Sequence, residues 1–342
     1  MSVQILLGDC IEQLKGLPAG IVQTCVTSPP YWGLRDYGVA GQLGMEPTPE
    51  EYTAHLVEVF AEVRRVLADD GTLWVNLGDS YAGSGKGGNP EEGKQATNKG
   101  SQSIGVLYGK IGESARTNAN TNVSRRSKEI GLKPKDLVGI PWRVAFALQA
   151  NGWYLRQDII WAKPNPMPES VTDRCTKAHE YIFLLSKQER YYYDAEAIAE
   201  PATYGEGGGA SSWRGERTVP RESRKRGDFN GKTNELPGRE AFRAIRPTRN
   251  KRSVWTVATQ PFSGAHFATY PEKLIEPCVL AGSRPGDTVL DPFNGSGTTG
   301  AVAVKHHRNY IGIELNPDYI ELTNKRLAEV QPVLFAPAEV TA

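Results

Sequence analysis

The first of two residue strings that could do chemistry is TSPPYW, at residues 27–32, which directly follows an apolar run typical of a strand. The paired prolines fix the backbone and remove two N–H donors, so carbonyl oxygens are left to point outward. The Ser28 hydroxyl adds an acceptor, and Tyr31 and Trp32 add flat aromatic faces. These residue types predict a small pocket that accepts hydrogen bonds from an amino group and stacks on a planar ring.

The second string is DPFNGSGTTG, at residues 291–300. Its glycines have GxGxxG spacing between a predicted strand and a predicted helix, which suits a tight turn that a cofactor approaches closely. Glu314 lies about 20 residues further on, at the end of another apolar run, where an acid reaches a ribose hydroxyl. The string alone predicts a nucleotide cofactor, with NAD as the first candidate, and the alternative is a tight strand–helix turn beside a surface glutamate.

The elements around these strings alternate strand and helix. Val3–Leu7 and Val22–Thr27 are short apolar runs that predict strands. Pro49–Leu67 repeats apolar residues at helical spacing, and Thr72–Leu77 predicts the next strand. Such alternation favours an α/β domain with a mostly parallel sheet, whose carboxyl edge would gather the two strings.

Composition excludes several classes of protein. The chain has 342 residues and four cysteines, which are widely separated, so a disulfide framework and a cysteine-rich zinc site are not expected. We find no apolar run long enough to span a membrane and no signal peptide, and we expect a cytoplasmic protein without a metal. Cys278 is interpreted as a core residue, and the run at 191–193, YYY, as a half-buried strand edge.

The net charge of +1 hides a segregation along the chain. Residues 83–135 and 200–252 each carry a balance of +6, which leaves −11 on the other residues. The two basic segments are either solvated loops or surfaces for a polyanion. Arginine can fork onto guanine edges as well as phosphates, so the second segment offers candidate DNA-binding residues, namely Arg221, Arg224, Arg226, Arg243, Arg246 and Arg249.

At these strings the sequence resembles the β class of S-adenosylmethionine-dependent DNA amino-methyltransferases. TSPPYW is similar to the catalytic motif of that family and DPFNGSGTT to its cofactor motif, in the permuted order with the catalytic motif first. The resemblance covers about residues 1–82, 136–195 and 254–330. It implies a Rossmann-like methyltransferase fold with helices on both faces of the sheet, plus irregular DNA-binding insertions.

The resemblance also implies roles for individual residues. The catalytic residues would be Ser28, Pro29, Pro30, Tyr31 and Trp32. The residues that bind S-adenosyl-L-methionine would be Asp9, Cys10, Asp291, Phe293, Asn294, Gly295, Ser296, Gly297, Thr298, Thr299, Glu314 and Leu315. Asp9 belongs to the strand-end element whose acid contacts the cofactor adenine, and Asp291 would hold the cofactor's amino-acid end or the loop itself.

The chemistry of amino methylation explains the catalytic residue types independently. An exocyclic amine is conjugated with its ring, and hydrogen bonds from its N–H groups to the Ser28 hydroxyl and the Pro29 carbonyl would free its lone pair. The base would have to flip out of double-stranded DNA, with Tyr31 as the stacking face and Trp32 lining the pocket. The resemblance associates Ser-Pro-Pro-Tyr with cytosine N4, whereas adenine N6 is the commoner product among such enzymes, and both stay open.

Two other functions remain as alternatives, an NAD-dependent oxidoreductase and a non-catalytic DNA-binding module on a methyltransferase fold. A homodimer is a further expectation from the family. The predicted organisation is a catalytic half, a basic loop insertion, a continuation of the methyltransferase domain, a target-recognition region, a cofactor-binding half and a tail. Their boundaries are 1–82, 83–135, 136–195, 196–253, 254–335 and 336–342.

Overall fold

A computed structural model describes residues 1–34, 39, 41–82, 131–202, 248–260 and 270–330. The chain forms two compact units, one of residues 1–194 with 252–342 and the other of residues 195–251. The helices are α1 (Cys10–Gly16), α2 (Pro49–Val66), α3 (Ile140–Ala150), α4 (Glu272–Gly282), α5 (Thr298–Lys305) and α6 (Pro317–Val330). The strands are β1 (Val3–Leu7), β2 (Val22–Thr27), β3 (Leu67–Leu77), β4 (Tyr154–Ala162), β5 (His179–Ser186), β6 (Glu200–Pro201), β7 (Thr248–Arg249), β8 (Val254–Thr256), β9 (Thr288–Asp291) and β10 (Asn309–Glu314).

The larger unit is built on an eight-stranded sheet with the order β1-β10-β9-β2-β3-β5-β4-β8. Neighbouring strands pair in parallel except at β5, which is antiparallel to both β3 and β4. Consequently β5 begins at the edge where the other strands end. The smaller unit contains a two-stranded antiparallel pair, β6 and β7.

Helices cover both faces of the sheet, and the alternation of side chains along β3 determines which helix packs where. Leu73 and Val75 point into a core shared with α1, α2 and α3. Thr72 and Trp74 point to the other face, where a side chain on Gly282 of α4 would collide with them. The α/β class, the mostly parallel sheet and the helices on both faces are therefore confirmed.

The structure departs from the sequence-based elements at two places. α2 ends at Val66, and β3 begins at Leu67 instead of Thr72. Leu67 pairs with Val22, and the register between β2 and β3 then shifts, so the polar residues between the predicted helix and strand belong to an irregular strand. The tyrosines at 191–193 are not in a strand, because the chain has already left β5 at Ser186, and the prediction of a strand edge was wrong.

Within the described residues, no helix is long and apolar enough to cross a membrane. Cys278 is fully buried in α4, as the sequence predicted.

Candidate active site

One edge of the sheet gathers the residues that the sequence singled out. β1, β10, β9, β2 and β3 run in parallel and end there, and β5 starts there. Leu7 pairs with Glu314, and Gly312 with Asp291, so the ends of β1, β10 and β9 lie side by side. The side chains brought to this edge are those of Asp9, Ser28, Glu180, Asp291 and Glu314.

The loop after β9 depends on glycine at three positions for three steric reasons. Gly295 and Gly297 have φ of 51° and 74°, in the left-handed region that favours glycine. A Cβ on Gly297 would also lie 2.7 Å from Cγ2 of Thr323. A Cβ on Gly300 would lie 2.6 Å from Cε1 of Tyr310, so α5 can approach β10 closely only because this residue is glycine.

Asp291 is the buried centre of this loop. Its Oδ1 accepts hydrogen bonds from the Thr27 hydroxyl at 2.6 Å and the Phe293 N–H at 3.0 Å. Its Oδ2 accepts from the hydroxyls of Thr299 and Tyr270 at 2.8 and 3.1 Å. Burial raises the pKa of the Asp291 carboxyl, and the hydrogen bonds act in the opposite direction. Of the two roles predicted for Asp291, the structure shows it holding the loop.

Other side chains of the loop also turn inward. The Asn294 amide accepts from the Tyr310 hydroxyl and donates to the Thr323 hydroxyl, both at 2.7 Å. The Thr298 hydroxyl accepts from Arg326 at 2.8 Å, and Ser296 and Thr299 are buried. These side chains therefore stabilise the loop, and a ligand at this edge would meet mainly its backbone.

Glu314 ties the loop to the neighbouring strand. Its Oε2 accepts from the Gly295 N–H at 2.7 Å, and its Oε1 accepts from the Asn316 N–H at 2.9 Å. Burial raises the pKa of the Glu314 carboxyl. Each oxygen keeps acceptor capacity for a hydroxyl donor, so the carboxylate suits a ribose. Leu315 lies half-buried beside it.

At the end of β1, Asp9 caps α1. Its Oδ1 accepts from the backbone N–H groups of Ile11 and Glu12 at 2.9 and 3.1 Å. The Gly8 N–H donates to the Glu314 carbonyl, which fixes Asp9 next to the β10 end. The neighbouring Cys10 side chain faces the core, and burial raises the pKa of its thiol to about 12. The Cys10 side chain therefore contributes packing, and the place of Cys10 in the cofactor site stays a prediction.

The Ser28 and Tyr31 side chains meet beyond the end of β2. The Ser28 hydroxyl lies 3.5 Å from the Tyr31 hydroxyl. The Tyr31 hydroxyl lies 2.8 Å from Oε2 of Glu180 and 3.0 Å from Oδ1 of Asn76. Burial and the Glu180 carboxylate raise the pKa of Tyr31 well above its ordinary value, so the phenol stays protonated.

Two other residues of the TSPPYW string, Pro30 and Trp32, make structural contacts, which corrects two expectations. The Pro30 carbonyl does not point outward, because it accepts from the Tyr52 hydroxyl at 2.8 Å. Trp32 does not line the pocket: it is 2% exposed, belongs to the core, and donates its indole N–H to the Glu46 carbonyl. Pro29 is buried.

Sequence reasoning assigned no role to the polar residues just after β3 and β4 or at the start of β5. Lys163, just after β4, forms an ion pair with Glu180. Asp79 follows β3, and its Oδ1 accepts from the N–H groups of Gly139 and Ile140 at the start of α3. Their placement at strand ends was the available signal, since polar residues there line the functional edge of an α/β sheet.

The candidate DNA-binding arginines belong mostly to residues that the structure does not describe. Arg221, Arg224, Arg226, Arg243 and Arg246 lie outside the described residues. Arg249 in β7 is described, and its Nε lies 3.6 Å from a Glu200 carboxylate oxygen. Among the described residues, no cluster of His, Cys, Asp and Glu could hold a metal ion.

Comparison with known proteins shows the family of the chain. A family model described as DNA methylase, N6_N4_Mtase, matches residues 22–325. The chain is 45% identical over 320 residues to the Type II methyltransferase M.Cfr9I of Citrobacter freundii, covering 94% of this chain and 86% of that protein. It is also 45% identical over 326 residues to M.SmaI of Serratia marcescens, covering 95% and 91%.

Solved structures share the fold. A DNA modification methylase of Thermus thermophilus, complexed with S-adenosyl-L-methionine, superposes with a TM-score of 0.54 at 22% identity and covers 96% of this chain and 94% of its own. PvuII DNA methyltransferase, described as cytosine-N4-specific, superposes with a TM-score of 0.53 at 19% identity and covers 97% and 91%. The chain belongs to the N6/N4 DNA methylase family and is an S-adenosylmethionine-dependent Type II DNA methyltransferase.

Proposed function

We propose that this enzyme methylates N4 of a cytosine that is flipped out of double-stranded DNA. The observation that carries the proposal is Ser28, whose hydroxyl lies beyond the end of β2 and, within the described residues, is tied only to Tyr31 at 3.5 Å. A serine hydroxyl keeps two acceptor lone pairs while its own proton points to Tyr31. The resemblance associates Ser-Pro-Pro-Tyr with cytosine N4, and the PvuII enzyme of the same fold is described as cytosine-N4-specific.

The chain's own residues would prepare the amine. The Ser28 hydroxyl and the Pro29 carbonyl would accept its two N–H groups, which frees the nitrogen lone pair. Tyr31, held by Glu180 and Asn76, would present its ring to the base. The contribution of these groups is positioning, which can supply a large part of the rate of a group transfer.

The residues at the ends of β1, β9 and β10 fit the cofactor. Glu314 would accept the ribose hydroxyls, Asp9 would contact the adenine, and the backbone of the loop at Gly295 and Ser296 would lie along the cofactor. Asp291 would act by holding the loop. S-adenosylmethionine supplies a methyl group that is bound to a positively charged sulfur. The sulfur leaves as a neutral thioether when the methyl group is transferred to the amine nitrogen.

The basic segments would provide the DNA contacts. We propose that residues 200–252 recognise the target sequence and that residues 83–135 clamp the phosphate backbone, since each carries a balance of +6. The remaining residues carry −11 and would repel DNA by themselves. The proposal also includes the organisation into the six predicted segments, a cytoplasmic location and a homodimer.

The identity of the methylated base is the direct test. Unmethylated plasmid DNA would be incubated with the enzyme and S-adenosylmethionine that carries a deuterated methyl group. The DNA would then be digested to nucleosides and analysed by mass spectrometry. We expect deuterated N4-methylcytosine, and deuterated N6-methyladenine without it would refute the cytosine proposal. Ser28→Ala should retain cofactor affinity and lose transfer rate.

A further inference from the structure

A continuous line of polar groups leads from the amine acceptor to a carboxylate that no motif contains. The Ser28 hydroxyl donates to the Tyr31 hydroxyl at 3.5 Å, and the Tyr31 hydroxyl lies 2.8 Å from Oε2 of Glu180. The first distance is at the outer limit of a hydrogen bond, and such contacts commonly shorten when the substrate binds. Glu180 lies at the start of β5, the strand whose reversed direction brings its first residues to this edge.

Cations surround Glu180. Lys163 forms an ion pair with Oε1, and both side chains are less than a fifth exposed, at 18% and 16%. The Lys163 ammonium also lies 4.3 Å from the centre of the Trp161 ring. Lys177 interacts electrostatically with Glu180 and Asp79, and its buried ammonium has no hydrogen-bond partner among the described residues. Glu180 is therefore ion-paired in a site that is largely removed from water.

The reaction creates a proton that must leave. A neutral amine that gains a methyl group carries one positive charge and one proton more than the neutral product. Ser28 and Pro29 contact that amine in the proposed complex, but a carbonyl oxygen and an isolated hydroxyl are poor final acceptors of a proton. A carboxylate is a far better one, and Glu180 is connected to Ser28 through a single hydroxyl.

We propose that Glu180 is the terminal acceptor of the substrate proton, reached through Ser28 and Tyr31. The N–H bond of the methylated amine breaks and the Ser28 oxygen takes that proton. Ser28 gives its own proton to the Tyr31 oxygen, and Tyr31 gives its own proton to Oε2 of Glu180. Both hydroxyls end as they began, and the net change is one N–H bond lost and one O–H bond gained on Glu180, which later releases the proton to water.

Glu180 acts through other residues and is therefore a positioning residue for Tyr31 as well as a proton acceptor. The raised pKa of Tyr31 agrees with a phenol that passes a proton on without remaining ionised. A purely structural Glu180 would hold the Tyr31 ring equally well as a glutamine, because an amide oxygen also accepts from the phenol. The two roles therefore predict different behaviour for Glu180→Gln.

The test compares Glu180→Gln, Glu180→Asp and a matched control, Glu321→Gln. Glu321 is exposed on α6 and pairs with Lys325. Single-turnover methylation of unmethylated plasmid DNA would be measured with saturating cofactor and increasing imidazole as an external base. The dissociation constant for S-adenosylmethionine, measured by calorimetry, reports whether each variant is folded.

We expect Glu180→Gln to bind the cofactor as the wild type does and to transfer the methyl group about 100-fold more slowly, the scale of a lost general base. Its rate should rise with imidazole, Glu180→Asp should recover part of the rate, and Glu321→Gln should equal the wild type. A wild-type rate in Glu180→Gln would overturn the relay. So would a slow rate that imidazole does not raise and that the Glu180→Asp variant does not partly recover. The inference rests on the proposed role of Ser28, and failure of that role is separately visible as a wild-type rate in Ser28→Ala.

Discussion

Replacing Glu314 by glutamine tests the cofactor site by exchanging one carboxylate oxygen for an amide nitrogen. The carboxylate accepts from the Gly295 N–H through one oxygen and from the Asn316 N–H through the other. Glutamine has one acceptor oxygen and one donor nitrogen, so in either orientation one backbone N–H faces an N–H group. The variant therefore loses a charge-assisted hydrogen bond within the loop, together with the charge that would accept the ribose hydroxyls.

The expected loss in affinity is large enough to measure. A hydrogen bond to a charged group contributes about 1.5–3 kcal/mol, which corresponds to a dissociation constant for S-adenosylmethionine raised about 10- to 150-fold. Isothermal titration calorimetry measures this directly. Glu321→Gln is the matched control, since Glu321 is exposed on α6 and pairs with Lys325. An unchanged dissociation constant in folded Glu314→Gln would refute the assignment of Glu314 to the ribose.

Glu314→Gln also tests how the free energy of unfolding depends on pH. Burial raises the pKa of Glu314 above 4.5, so the folded chain holds this proton more tightly than the unfolded chain. Between the ordinary and the raised pKa, the contribution of Glu314 to the free energy of unfolding falls as pH rises. Urea denaturation measures the free energy of unfolding across that pH window. The value for the wild type minus the value for Glu314→Gln should fall as pH rises, and a difference that rises with pH would contradict the prediction.

Three further predictions concern catalysis, packing and thiol chemistry. Ser28→Ala should slow single-turnover transfer and leave the dissociation constant for S-adenosylmethionine unchanged, and equal rates would exclude the acceptor role. Gly282→Ala should lower the free energy of unfolding by about 1–3 kcal/mol, because the new Cβ would lie 2.6 Å from the Thr24 hydroxyl oxygen. The control is Gly16→Ala, whose Cβ would meet nothing within 4 Å and which should not destabilise the protein. A thiol reagent should modify Cys175, the exposed cysteine, in the native protein and all four cysteines after denaturation, and rapid native modification of more than one would contradict the described burial.

Much of the fold follows from local patterns. The strands Val3–Leu7 and Val22–Thr27 have the predicted bounds, since short apolar runs act over a few residues. The boundary between α2 and β3 could not be predicted, because the strand pairing of Leu67 with Val22 depends on a residue that is distant in sequence.

The sequence by itself determined the family, its cofactor and the glycine loop between β9 and α5, because these depend on short strings with fixed spacing. The TSPPYW string likewise identified Ser28, which lies at the predicted strand end. The second half of the string, by contrast, makes structural contacts. Trp32 and the Pro30 carbonyl are engaged by Glu46 and Tyr52, residues of a later loop and helix that the string itself does not contain.

Only the tertiary structure decided what surrounds the reacting group. Glu180 lies about 150 residues from Tyr31 in the chain, and it meets the Tyr31 hydroxyl because β5 runs against both of its neighbours and starts at the carboxyl edge. The loop side chains Asn294 and Thr299 turned inward for a related reason, since Tyr310 and Asp291 lie behind the loop as hydrogen-bond partners. Strand order and direction are properties of the whole sheet, and no local string of residues encodes them.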